Sequence, residues 1–594
     1  MQDGRPQLRS NARVRRKLCL SLQKKRMSGW AVIGAVLFMI VQVMSNLYLP
    51  NLTADIVNNG VAKGDIDYIW ATGMKMILFA LLSILASVGN VFLASQTSQK
   101  LGQKLRSDVY RKVINYSHDE MDKVGTSSLI TRTTNDVTQI QNVWMMILRM
   151  MIMAPIMLIG ASFLAYQKSH TLTMVFLISL PLLAFFLLII MYFAVPLFKA
   201  MQKKTDNINL VFREGLTGVR VIRAFRQDDF EQNRFETVNQ DYTHNAVKVF
   251  SIIAAVFPVM TLIMSGTNIG ITWWGGHLIA QQALETGNLI AFMTYAMQIL
   301  MSFMMLSMIF VFIPRAQASA VRLNEVLDQH SRITTPTSPK SLDTTHPALQ
   351  FDHVQFRYHH AEEPALSDID VQVTGGETLA IIGGTGSGKT TMVNLIPRFY
   401  DAEKGHVRVD GEDVKAVDLK KLHEAVAFVP QKANLFTGTV RDNMKYGNDE
   451  ATDDQIWHAL EIAQAKDFIA ANPEGLDYQV EQGGGNFSGG QRQRLAIARA
   501  LVKDASVYVF DDSFSALDFK TDANLRAALK ADAKIQTKVV VIVGQRVSTV
   551  ADADTIVVLD EGKMVGKGTH AELKATNTTY QEIIKSQIRE GDEQ

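Results

Sequence analysis

Cysteine is almost missing from this chain: Cys19 is the single one among 594 residues. That excludes an intramolecular disulfide and any chemistry run on a thiol pair. Acidic residues are nearly absent ahead of the first apolar run, where Asp3 stands alone against Arg5, Arg9, Arg13, Arg15, Arg16, Lys17, Lys24, Lys25 and Arg26. Such a cluster suits nucleic acid or anionic lipid, but beside an apolar run the positive-inside bias of membrane insertion is the simpler explanation. A signal cleavage site of the small-x-small kind is also lacking. The run from Trp30 to Leu49 exceeds a typical signal core, so a retained span is expected. No internal repeat is visible.

What is present divides the chain in two. Apolar residues crowd into long runs before about Pro314, and the remainder has the mixed charge and glycine content of a soluble α/β domain. The near-neutral mean hydropathy therefore averages two solvents. Six stretches are long and apolar enough to cross about 30 Å of hydrocarbon: Trp30 to Leu49, Met74 to Ala94, Trp144 to Tyr166, Leu172 to Leu197, Ile252 to Trp274 and Leu289 to Ile313. Links after the first, third and fifth are short. Those after the second and fourth run roughly 50 residues and carry most of the Lys and Arg, which places them in the cytoplasm. Apolar residues recur at helical spacing in Leu101 to Tyr116 and Thr205 to Phe225, so the membrane helices are expected to continue into the cytosol.

Charge inside the spans is sparse. Lys75 and Arg149 have no acidic companion in the same span, which argues against a buried proton relay. Met297, Met301, Met304, Met305 and Met308 fall on one helical face of the last span, where flexible thioethers suit varied apolar cargo or simply meet lipid and neighbouring helices. A polar stretch with Pro and Thr, Asp328 to Pro347, reads as a linker. Beyond Leu349, short β-rich runs such as Leu379 to Ile382, Val507 to Phe510 and Val539 to Val543 alternate with helical patterns, predicting a largely parallel sheet flanked by helices.

Between a β-run and a helix lies Gly383-Gly384-Thr385-Gly386-Ser387-Gly388-Lys389-Thr390, followed by Thr391. Glycines at this spacing let backbone N–H groups turn toward phosphate oxygens; Lys389 then reaches the β/γ-phosphates, and the Thr390 hydroxyl suits magnesium. Val507 to Asp511 is an apolar strand ending in a carboxylate, which sets Asp511 near the same metal. Between them stand Phe487-Ser488-Gly489-Gly490-Gln491 and a helix-like run.

The order of Tyr358, the phosphate loop, Gln431, Ser488-Gly489-Gly490-Gln491, Asp511 and Ser515-Ala516-Leu517-Asp518 resembles the ATP-binding cassette family. The spans with long cytosolic links resemble its exporters, including Gly125 to Asp136 and Glu214 to Phe225. The resemblance implies a membrane all-α domain of six helices with long cytosolic extensions, of the type I/type IV exporter kind, plus an α/β P-loop nucleotide-binding domain. The divisions are a basic cytosolic segment 1–26, a transmembrane domain 27–325, a linker 326–348 and the nucleotide-binding domain 349–594. ATP and Mg2+ are the implied cofactors. Tyr358 would stack on adenine, the loop residues and Thr391 would hold phosphate, Thr390, Gln431 and Asp511 would serve the metal, and Ser488, Gly490 and Gln491 would meet ATP held by an opposite chain.

The departures are informative. After the metal-binding Asp the family carries a Glu that polarises water, and here stands Asp512, one methylene shorter. Displacing a general base by about 1 Å costs on the order of 10²-fold. Val541 to Arg546 matches the switch segment, with Gln545 where His is usual; a neutral amide cannot carry imidazolium charge. Glu481-Gln482 replaces the usual Gly-Glu. With the signature intact, this combination resembles the degenerate subunit of heterodimeric bacterial exporters, whose partner is a non-identical half-transporter with the catalytic Glu and switch His. The expected function is ATP-driven efflux of hydrophobic or amphipathic compounds from a bacterial cell by alternating access. A multi-pass protein of the plasma membrane follows, its N-terminus and nucleotide-binding domain cytoplasmic, among lipids and without nucleic acid. Lipid or lipopeptide translocation, and an ATP-gated channel or regulatory subunit, are the alternatives, distinguished by dye transport, lipid flipping and single-channel current.

Overall fold

A computed structural model describes residues 29–359 and 361–588, apart from the side chains at 307–311 and 588. The basic leader with Cys19 lies outside the described residues, as does the side chain of Met308. Two compact units form, one from the chain up to Ile114 with Ser127–Asp328, the other from Asn115–Thr126 with the chain from Gln329 onward. The tip of the first long link thus belongs to the second unit, a placement that hydropathy does not reveal.

The first unit is helical. Among the described residues, six helical stretches are long and apolar enough to cross a membrane: Gly29–Val61, Ile66–Ile114, Thr126–Lys168, His170–Thr217, Asp228–Ala280 and Thr286–Leu306. Within the most apolar window of Asp228–Ala280 only 11% of residues are buried, so its large aliphatic side chains face outward, as lipid requires. Ile66–Ile114 is an unbroken 49-residue helix, about 73 Å at 1.5 Å per residue and far longer than the hydrocarbon core. The last helix likewise continues past Ile313 to Asp328.

The second long link differs from its expected continuous helix. The helix from Phe176 ends at Thr217, and Val219–Ala224 is a separate turn of helix. A Cβ on Gly218 would lie 2.9 Å from the Glu214 carbonyl oxygen, so the break sits where only glycine fits. The arms Phe176–Thr217 and Asp228–Ala280 are tied side by side at three levels. Asn245 donates to the Leu197 carbonyl at 3.2 Å, Lys204 pairs with Asp241, and Arg234 pairs with Glu214.

Three short π-helical turns, Ile56–Val61, Arg132–Asp136 and Ile147–Met151, interrupt the helices, the last containing Arg149. Asn90 Nδ2 donates to the carbonyl of Leu148, within the last of these turns, at 3.3 Å and to that of Ala35 at 2.8 Å. The methionine face divides: Met304 packs beside Leu183, Met260, Ile263 and Leu300, whereas Met297 and Met301 are 41% and 51% exposed.

Asp136, 3% exposed, accepts from Arg322 Nε at 2.8 Å and from Ser319 Oγ at 2.8 Å. Arg322→Met is expected to strand that carboxylate. The loss should be about 1–3 kcal/mol, because the arginine itself is half-exposed. Thermal denaturation of the purified protein would read it as a lowered midpoint.

In the second unit a ten-stranded sheet forms among the described residues. Val426–Val429, Val507–Asp511, Val539–Val543, Thr378–Gly383 and Thr555–Asp560 run parallel, as expected for βα alternation. The sheet then turns antiparallel through Lys563–Gly568, and Ala348–Phe356, Leu366–Thr374 and Lys404–Val409 pair antiparallel with one another. The largely parallel sheet read from the sequence is therefore only part of it. Valine and isoleucine fill both faces of Val539–Val543, and Val507–Asp511 sets valines on one face and Tyr508 and Phe510 on the other; both strands are buried throughout.

Candidate nucleotide site

Strand register assembles the site. Val543 lies opposite Asp511 on one side and Ile381 on the other, so the phosphate loop, the carboxylates and the switch segment leave the sheet at the same edge. This is the carboxyl end of a parallel sheet, where α/β folds bind ligands. The loop needs its glycines: Gly386 and Gly388 have φ of +85° and +99°, and a Cβ on Gly383 would lie 2.2 Å from the Leu559 carbonyl oxygen. Lys389 Nζ turns back onto the loop, donating to the carbonyls of Gly383 at 2.9 Å and Gly384 at 2.6 Å and lying 3.4 Å from Ser387 Oγ. Burial lowers its pKa, with Asp512 and Asp511 opposing.

Thr390 Oγ1 donates to Asp511 Oδ1 at 3.0 Å. Burial pushes the Asp511 carboxyl up to about 6, against the pull of the Thr390 hydroxyl, so a nearby cation would satisfy it. Asp512 occupies left-handed backbone at φ +48°. Its Oδ2 accepts from Gln431 Nε2 at 3.1 Å and from Gln545 Nε2 at 2.8 Å. Two of the three departures, Asp512 and Gln545, thus meet at one carboxylate oxygen.

These groups border a cavity of about 920 Å³, lined among others by Tyr358, Thr385, Gly386, Gly388, Lys389, Thr390, Thr391, Gln431, Asp512 and Gln545. Gly383, Ser387 and Asp511 are buried and do not line it. Tyr358 presents its hydroxyl to Thr391 Oγ1 at 3.0 Å and its ring edge-on to Phe356 and Tyr400, so it packs in the core as well as lining the cavity. Ser488, Gly490 and Gln491 are not brought to this wall. Ser488 caps the helix Gly489–Val502, its Oγ accepting from Gln491 N–H while Gln491 Oε1 accepts from Ser488 N–H. Gly490 approaches the Ala516 carbonyl, 3.2 Å from where a Cβ would stand.

Two contributors escaped the sequence reading. Glu561, Gly562 and Lys563 also line the cavity; Glu561 and Gly562 have φ of +44° and +76°, a tight hairpin whose signal is a Glu-Gly pair between apolar runs. Segment Asn115–Thr126 brings His118, stacked on Phe399 at 4.5 Å, and Asp122, 3.5 Å from Tyr400 Oη. Tyr400 touches Tyr358, so the cavity wall connects to this link tip through aromatic contact.

The chain matches the ABC transporter transmembrane region over residues 32–303 and the ABC transporter family over residues 366–515. An ABC transporter ATP-binding protein of Mycobacterium tuberculosis is 40% identical over 576 residues, covering 96% of this chain and 98% of the relative. An ATP-dependent lipid A-core flippase of Chromobacterium violaceum is 29% identical over 562 residues, covering 94% and 96%. The solved structure of a bacterial Atm1-family ABC exporter with ATP bound shares the fold, with a TM-score of 0.78 at 24% identity, covering 94% of this chain and 98% of that one.

Proposed function

Because this chain belongs to the ABC transporter family, as an ATP-hydrolysing exporter with membrane and ATP-binding regions in one polypeptide, we propose that it is the nucleotide-gripping subunit of a heterodimer. Its own phosphate loop holds ATP, and hydrolysis proceeds at a second site completed by Ser488 and Gly490 on a partner's nucleotide. The observation that carries this reading is the shortened Asp512, whose Oδ2 is engaged by two amides. A base must reach the proton it takes, and an oxygen already accepting two hydrogen bonds at the end of a shorter arm is poorly placed for that.

Thr390, Asp511 and Gln431 would hold Mg2+, which would supply charge neutralisation to the phosphates. The hydroxyl of Thr390, the carboxylate of Asp511 and the amide oxygen of Gln431 offer the hard donors it takes. The adenine stacks on Tyr358, and backbone N–H groups of the loop from Gly383 to Thr391 orient the phosphates. Closure of paired nucleotide-binding domains is passed on through link tips such as Asn115–Thr126 and turns the membrane helices to face outward.

Cargo is hydrophobic or amphipathic. The exposed Met297 and Met301 suit such molecules. A second reading, lipid translocation, is favoured by the relatives named as lipid A-core flippases. Dye uptake against lipid flipping in proteoliposomes separates the two. We place the protein in the bacterial plasma membrane with the nucleotide-binding domain in the cytoplasm, in keeping with the basic long links.

The deciding experiment purifies the full-length chain alone in nanodiscs. ATP turnover is expected at no more than about one hundredth of that of the assembled pair. The double substitution Asp512→Glu with Gln545→His should then raise turnover of the lone chain by roughly 10-fold or more. Brisk hydrolysis by two identical unsubstituted copies would sink the proposal.

A further inference from the structure

The C-terminal helix Thr578–Ile588 is held on the second unit by apolar contact. Tyr580 is fully buried, with its hydroxyl 2.7 Å from His570 Nδ1, and Ile583 and Ile584 pack against the cluster that includes Ile382, Val550 and Ile556. About two turns beyond Tyr580, on the same side of the helix, stands Gln587. Its Nε2 donates to the Gln545 carbonyl at 2.7 Å and its Oε1 accepts from Val547 N–H at 2.8 Å. One primary amide therefore bridges both sides of Arg546, while the Gln545 side chain donates to Asp512 at 2.8 Å.

We propose that Gln587 is a positioning residue: its amide clamps the switch backbone at Gln545 and Val547 and thereby fixes where the Gln545 side chain stands against Asp512 and bound nucleotide. Its reach is geometric. The switch segment follows directly from the strand Val539–Val543, whose end is fixed by the sheet, but its far side runs into Val547–Val550, a single turn of helix. Arg546 supplies a second tether, with Nη1 3.3 Å from the Leu517 carbonyl and Nη2 3.4 Å from that of Ser515. Both of those bonds are long. Gln587 makes two shorter ones from a helix anchored to Ile382, on the strand that leads into the phosphate loop. The helix thus sets the switch in register with the loop, and a side chain outside the cavity determines the pose of one inside it. The effect on nucleotide rests on the reading of this cavity as the chain's own ATP site; the clamp on the switch backbone does not.

The test uses the full-length chain in nanodiscs with MANT-ATP and Mg2+, comparing Gln587→Ala, which loses both bonds, with Gln587→Glu, which keeps the acceptor for Val547 N–H and sets a carboxylate against the Gln545 carbonyl. Hydrogen–deuterium exchange of the peptide around Val547 should quicken roughly 10-fold in Gln587→Ala and less in Gln587→Glu. MANT-ATP release should quicken about 3- to 10-fold in both, with the thermal midpoint unchanged. In a Gln545→Ala background the added Gln587→Ala should no longer affect release. Wild-type exchange, an undiminished release effect in that background, or a fall in thermal midpoint that accounts for both would overturn the proposal. If the unsubstituted chain did not hold MANT-ATP, the reading of the site would fall while the exchange comparison still decided the clamp.

Discussion

Ser488→Arg in the assembled transporter is expected to cut ATP turnover by at least about 10²-fold, whereas Asp512→Ala lowers it less than about 3-fold. The asymmetry follows from where each side chain stands. Ser488 caps the helix Gly489–Val502, and in the proposed heterodimer its hydroxyl and the first backbone N–H groups would meet phosphate of a facing chain. An arginine there removes the capping oxygen that Gln491 N–H uses and fills the space a phosphate must enter. Asp512 instead borders this chain's own cavity, beside nucleotide that the proposal holds without turnover. Steady-state ATPase measurement on the two variants decides it, and equal collapse in both would contradict the division of labour.

Lys389→Ala is expected to weaken MANT-ATP binding at this chain's site by about 10²-fold, the loss of roughly 3 kcal/mol that a charge-assisted contact to phosphate supplies. In the structure the ammonium group is committed to the carbonyls of Gly383 and Gly384. Binding therefore exchanges two neutral acceptors for anionic ones, and the partial burial that lowers its pKa strengthens the exchange by excluding water. Lys389→Arg keeps the charge but not the shape, and a planar guanidinium does not reproduce the compact ammonium on the phosphates, so it should recover only a minor part of the affinity. Fluorescence titration reads both, and near-normal affinity in Lys389→Ala would remove the phosphate loop from the account.

The parallel strands were legible because burial on both faces writes them as near-continuous apolar runs; Val539–Val543 has the bounds that composition implies. The phosphate loop was legible because its glycines answer to local backbone geometry. The antiparallel strands were harder, since Ala348–Phe356 and Leu366–Thr374 mix apolar with charged residues and bulge at Val354. The break at Gly218 was hidden by apolar spacing that continues through it, because periodicity does not register the close approach of a single carbonyl. The meeting of Gln431, Asp512 and Gln545 at one oxygen depends on strand order, and strand order is a long-range property no window of residues contains.

The cross-ties between the arms Phe176–Thr217 and Asp228–Ala280 have a mechanical consequence. Two slender rods joined only at their tip would bow independently and dissipate a push as curvature. Bolted at Leu197, Lys204 and Glu214 they behave as one deeper beam, so a displacement applied at the elbow near Gly218 arrives at the far end as tilt of the pair rather than as bending of either.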